Sequence, residues 1–221
     1  MFGIHDLALF VAAGVILNLT PGPDTFLIVT RSSTLGARAG FAVVAGIFCG
    51  CFVHIVAAAV GLSAILVASA TAFSVIKFAG AAYLIYIGVQ LLIAPARPLT
   101  SGNANTPAAG AAGAASANGG PGLRRLFAEG FLCNALNPKV AVFFLAFLPQ
   151  FVDPGQGDAA TAFLVLGMIF NLTGIVWNSC TNFLASRFRV LLREPAAALL
   201  VNRIAGVCFL GFGVKLAVTE R

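Results

Sequence analysis

The stretch NLTPGPD, Asn18 to Asp24, decides how the rest of the chain is read, because it is polar and proline-rich while its flanks are oily. Leu7 to Leu17 precedes it and Phe26 to Val29 follows, so residues 7–29 otherwise read as one membrane span. Pro21 and Pro23 donate no backbone hydrogen bond and obstruct the preceding turn. Gly22 adds local freedom. In lipid, the backbone groups freed by such a break need protein or a watery cavity as partner. Asp24 sets a carboxylate beside them.

The surroundings justify reading in lipid. Of 221 residues, 60% are hydrophobic and 9% charged, against about 25% charged in a soluble domain; the mean hydropathy is +1.00. Too little charge remains to cover a water-facing surface. Apolar runs at 7–29, 40–62, 74–93, 126–148, 160–184 and 199–218 predict an all-α membrane protein with six transmembrane helices, and no barrel-type alternation is present.

The net charge of +6 does not point to nucleic acid, because the basic residues are sorted by connection. Arg31 and Arg38 fall between spans 1 and 2; Arg97, Arg124 and Arg125 between spans 3 and 4; Arg187, Arg189, Arg193 and Arg203 around the start of span 6. Lys77, Lys215 and Arg221 lie on the other side. This bias predicts that the three basic connections are cytoplasmic and both termini periplasmic. The start, MFGIHDLALF, has no basic n-region, so span 1 is expected to be retained. Cys49, Cys51, Cys133, Cys180 and Cys208 all fall inside spans, with no disulfide framework. Cys51 and His54 share a helix face, but small-residue packing, with Gly46 and Gly50 as a GxxxG pair, explains that face better than a metal.

Residues 95–123 are low-complexity Ala, Gly, Asn, Ser and Pro, a flexible cytoplasmic linker between a first three-helix repeat, 1–94, and a second, 124–221. KFAGAAYLIYIGVQLL from Lys77 lies against RIAGVCFLGFGVKLAV from Arg203, and GVILNLTP from Gly14 echoes GFLCNALNP from Gly130. Spans 2 and 5 show no convincing match. Three is an odd number, so the second repeat runs inverted. Inverted repeats with broken helices, here 1 and 4, point to alternating-access transport at the breaks.

The second break is NALNPK, Asn134 to Lys139. After each break a half-helix begins whose N-terminus suits a carboxylate. Asp24 and Lys139 are the ionisable groups well inside spans and next to a break, and such groups are functional candidates. One acid and one base match a zwitterion: Asp24 toward an ammonium, Lys139 toward a carboxylate. The substrate-binding set is therefore Asn18, Thr20, Pro21, Gly22, Pro23 and Asp24 at the first break, with Asn134, Asn137, Pro138 and Lys139 at the second. Counted along straight spans, Asp24 and Lys139 differ in depth by roughly 12 Å, too far to pair unless the breaks compress the distance. Asn171, Asn178 and Asn182 share one face of span 5 and either line the path or bond between helices. Tyr83 and Tyr86 read as packing or interface groups, and Glu129 and Lys215 as span-end residues that snorkel.

TPGPD (Thr20 to Asp24), NPKVAVFFLAFLPQFV (Asn137 to Val152) and AGAAYLIYIGVQLL (Ala79 to Leu92) make the chain resemble the LysE/RhtB family of bacterial amino-acid exporters. The resemblance covers all but the linker. It implies a six-span inner-membrane secondary exporter driven by the proton gradient, with the two proline motifs as its core. It names no single amino acid and implies no cofactor, and it leaves a homo-oligomer open. The main alternative is a metal or other cation transporter of related architecture, which would need more acids or a His/Cys cluster in the membrane. An intramembrane thiol oxidoreductase would need a CxxC pair, and a scaffold would not need matched, oppositely charged breaks. No GxxxxGK[ST] loop is present, so an ion gradient or exchange is the expected driver, with Asp24 the candidate proton carrier.

Overall fold

The computed structural model describes residues 3–62, 121–153 and 157–187, together with scattered helical positions between 75 and 93 and between 203 and 218. The linker through residue 120, Lys77, Tyr83, Lys215, Cys208 and most of spans 3 and 6 lie outside the described residues, so the repeat match at the ends of the two halves does too. Among the described residues the structure is helical, apart from one antiparallel bridge between Ile4 and Val152.

The first span is bent by 50° between α1, Leu7–Leu19, and α2, Pro23–Leu35. Pro21 has no N–H for the Leu17 carbonyl four residues back, and α1 stops. Gly22 is extended, and Pro23 opens α2 at the position where a missing N–H costs nothing. The helix then runs past the expected end at residue 29 and stops at Gly36, whose φ of +87° is left-handed and favours glycine. A hydropathy window closes too early here because Arg31 and Ser32, though polar, are paired inside the protein.

A second bent span repeats the design. After α3, Ala37–Ala57, comes α4, Leu123–Ala135, then α5, Pro138–Val142, which continues through a wide π-type turn, Phe143–Phe147, and a tight turn, Leu148–Phe151. The bend is 42°. Asn137 caps the restart by accepting from the Lys139 N–H at 3.0 Å. Spans 7–35 and 123–151 have equal length, and each breaks near its middle.

Among the described residues, two unbroken helices are long and apolar enough to cross a membrane: α3 with its extension to Leu62, and α6, Ala159–Arg187. α3 and α4 approach closely: a Cβ on Gly46, Gly50 or Gly130 would strike the Phe127, Phe131 or Val43 carbonyl. Gly46 and Gly50 are thus a packing pair.

Two apolar layers flank the polar breaks. One layer joins Phe10 and Leu17 of α1 to Ile55, Phe143, Phe147, Phe151, Phe163 and Phe170. The other is smaller: Ile28, Ala39, Val43, Val44, Ile47 and Leu126. The breaks lie between them.

Candidate functional site

Each break releases a carbonyl, and the opposite half of the chain takes it. Pro21 leaves the Leu17 carbonyl without its helical donor, and the Lys139 ammonium donates to it at 3.0 Å. Lys139 Nζ also donates to the Thr20 carbonyl at 2.9 Å. Pro138 likewise leaves the Asn134 carbonyl, which accepts from His54 Nε2 at 2.9 Å and from the Asn137 N–H at 2.9 Å. A carbonyl only accepts, so His54 carries its hydrogen on Nε2. A break that would be costly in lipid is thereby satisfied within the protein.

Side chains at the breaks interlock as well. Asp24 Oδ2 accepts from Asn134 Nδ2 at 2.8 Å and from Asn137 Nδ2 at 3.1 Å. Its other oxygen, Oδ1, is buried without a partner, and so is Asn134 Oδ1. Such orphaned acceptors are unusual in a folded protein and call for a donor. No ion pair within 4 Å joins Asp24 to Lys139. That agrees with the straight-helix count, although both groups line one cavity. Span 1 extends to Leu35, which moves its centre from Asn18 to Pro21, and the bends bring Lys139 onto the first break itself.

These groups face a cavity of about 30 Å³ lined on one side by Asn18, Asp24, Thr25, Cys51, Asn134 and Lys139, and on the other by Phe170, Asn171, Gly174 and Asn178. It has room for about two waters and none for an amino acid. One formal negative charge, on Asp24, and one positive, on Lys139, sit in its wall.

The sequence-derived residues separate by position. Asn18, Asp24, Asn134, Lys139, Asn171 and Asn178 line the cavity. Asn18 also donates to Thr173 Oγ1 at 3.3 Å, and Asn171 to the Phe48 carbonyl at 3.2 Å. Thr20, Pro21, Gly22, Pro23, Asn137 and Pro138 build the breaks rather than the wall: a Cβ on Gly22 would come within 3.1 Å of Lys139 Nζ. Asn182 is not brought to the cavity; it accepts from Ser32 Oγ at 2.6 Å and donates to the Ala37 carbonyl at 3.2 Å, fastening α2, α3 and α6.

The reading of one residue changes. Glu129 does not snorkel: it is buried, bonded to Arg31 Nη2 at 2.9 Å and to Arg125 Nε at 3.2 Å. Tyr86 is well exposed. Sequence reasoning passed over Thr25 and Cys51 as cavity residues and His54 as a partner of the second break; only the period of α3, which puts Cys51 and His54 on one face, hinted at the last two. Among the described residues, no group of three His, Cys, Asp or Glu side chains is placed to hold a metal ion.

Comparison with known proteins adds an independent line. The family described as LysE type translocator matches residues 15–220. An uncharacterized membrane protein of Pseudomonas aeruginosa is 35% identical over 97% of this chain and 96% of its own. The homoserine/homoserine lactone efflux protein of Salmonella typhimurium is 31% identical over 94% of each chain. The leucine efflux protein of an Enterobacter strain is 25% identical over 98% of this chain and 97% of its own. No solved structure matches significantly.

Proposed function

The chain belongs to the LysE type translocator family, and from that premise we propose that it exports neutral, zwitterionic amino acids across the bacterial inner membrane in exchange for protons. The observation that carries this reading is the pair of buried acceptors, Asp24 Oδ1 and Asn134 Oδ1, facing one cavity without donors. An α-ammonium supplies three N–H donors to such a pair. Leucine and homoserine, named for two relatives, both carry that group, and homoserine lactone keeps it while lacking a free carboxylate. The ammonium is the shared handle.

The rest of the cavity suits the other end of the substrate. Lys139 spends two donors on backbone carbonyls and keeps a third, and the Thr25 N–H precedes the first helical bond of α2, from Phe26 to Gly22 at 3.0 Å. Both favour a carboxylate. With wall charges that cancel, a zwitterion adds no net charge, whereas a dibasic amino acid brings an uncompensated one.

Coupling follows from the same carboxylate. Oδ2 is held by two asparagine amides, so Oδ1 alone is open, to a proton or to an ammonium but not to both. A proton entering from outside displaces the ammonium outward and leaves to the cytoplasm when the next substrate binds. The supporting architecture is six spans in two inverted repeats, with the arginine connections cytoplasmic and both termini periplasmic. With about 30 Å³ of free space, the site must widen to take an amino acid.

Efflux from cells preloaded with an amino-acid panel, with and without an uncoupler, tests the reading. Export of one or more neutral amino acids, stopped by the uncoupler, is the expected result. Export that ignores the uncoupler removes the proton. Absence of amino-acid export, with export of a metal cation instead, replaces the reading by the cation-transporter one.

A further inference from the structure

A histidine buried in an apolar helix needs a reason, because an unpaired imidazole there is costly. His54 of α3 is only 8% exposed, packs its ring 5.9 Å from that of Phe144, and bonds through Nε2 to the Asn134 carbonyl at 2.9 Å. That carbonyl is the one Pro138 strands, as Pro21 strands the Leu17 carbonyl taken by Lys139. The two breaks are thus served reciprocally: a nitrogen of the second half fills the first, and a nitrogen of the first half fills the second.

The consequences differ for the two nitrogens. Lys139 is in the cavity wall, whereas His54 is not. His54 touches the backbone of a residue whose side chain does two jobs there. Asn134 Nδ2 holds Asp24 Oδ2 at 2.8 Å, and Asn134 Oδ1 is one of the two open acceptors. We infer that His54 is a positioning residue for the ammonium site: its Nε2–H bond to the Asn134 carbonyl holds the second break open and fixes Asn134, and through it Asp24, in the geometry that receives the substrate. This rests on the reading of the cavity as an ammonium site.

The competing account is that the Asn137 N–H, also 2.9 Å from that carbonyl, suffices, and that His54 merely fills space beside Phe144. Three substitutions separate the two. Glutamine places an amide N–H near the position of Nε2; asparagine is too short to do so; leucine fills space and donates nothing. Two quantities are measured for each in proteoliposomes: the KM for counterflow of a neutral amino acid, and the alkylation rate of Cys133, buried next to Asn134, in a background where it is the only cysteine. The expected result is that His54→Gln stays within threefold of the wild type on both. His54→Leu and His54→Asn raise KM at least tenfold and speed Cys133 alkylation at least tenfold. If His54→Leu stays within threefold on both measures, or His54→Gln is as impaired as His54→Leu, the inference is overturned. If the wild type carries no amino acid, the export reading fails, and the alkylation rates alone decide whether His54 holds the break.

Discussion

Two regions of the molecule are held together by unlike materials. In one, Phe143 is the hub of an aromatic cluster, its ring centroid 4.9 Å from Phe170, 5.1 Å from Phe147 and 6.1 Å from Phe10. In the other, the buried Glu129 of α4 ties Arg31 of α2 to Arg125, and Ser32 and Asn182 lock α2 to α6. The phenylalanine region is held by area and dispersion, which are non-directional and permit sliding. The arginine region is held by directional, charge-assisted bonds that are either made or broken. The α3–α4 contact, with carbonyls where a Cβ would sit, ties these elements rigidly together beside it.

Substitutions in the two regions sharpen this contrast. The largest expected effect is Phe143→Ala, which removes a ring 2% exposed and should cost about 3–5 kcal/mol, read as a lower melting temperature in detergent at any salt concentration. Glu129→Ala should cost less, about 2 kcal/mol. That is below the roughly 3–5 of a fully buried pair, because the Arg31 and Arg125 side chains keep 20% and 37% of their exposure. Removing Arg31 as well should restore part of the loss. Equal salt-independent losses in both regions would dissolve the distinction between them.

The smallest effect belongs to Asp158, outside both regions. It caps α6 by accepting from the Thr161 N–H at 3.1 Å and the Ala160 N–H at 3.3 Å, and from the Thr161 hydroxyl. The Thr161 hydroxyl first, and then its N–H, hold this carboxyl below the usual range. A folded-state pKa below the unfolded one stabilises above the ordinary carboxylate range, and the contribution is lost as pH falls through the lowered value. Asp158→Ala should therefore lower the melting temperature slightly at pH 7, with the difference vanishing on acidification. A difference that grew in acid would contradict the cap.

The legible part of this molecule was local. Proline, glycine and asparagine mark both breaks in the sequence, and an acid at one and a base at the other mark the cavity. What the sequence hid was whatever depends on partners far along the chain. Lys139 reaches main-chain carbonyls, which carry no residue signature. Glu129 looked like a span-end charge because its arginine partner Arg31 is 98 residues away. Depth counted along straight helices kept Asp24 from pairing with Lys139, and the two do not pair, but it did not show that both line one cavity. The asparagines of α6 share a face as their spacing requires, yet that face is long enough to place Asn171 and Asn178 at the cavity and Asn182 at a helix junction.

The central claim is that Asp24 receives the ammonium of the transported amino acid. Counterflow in proteoliposomes tests it most directly, since exchange of labelled for unlabelled substrate needs no proton gradient and so isolates binding from coupling. For the neutral amino acid that the wild type carries best, Asp24→Asn, present at wild-type density, should exchange at least a hundredfold more slowly. Exchange within twofold of the wild type would contradict the claim.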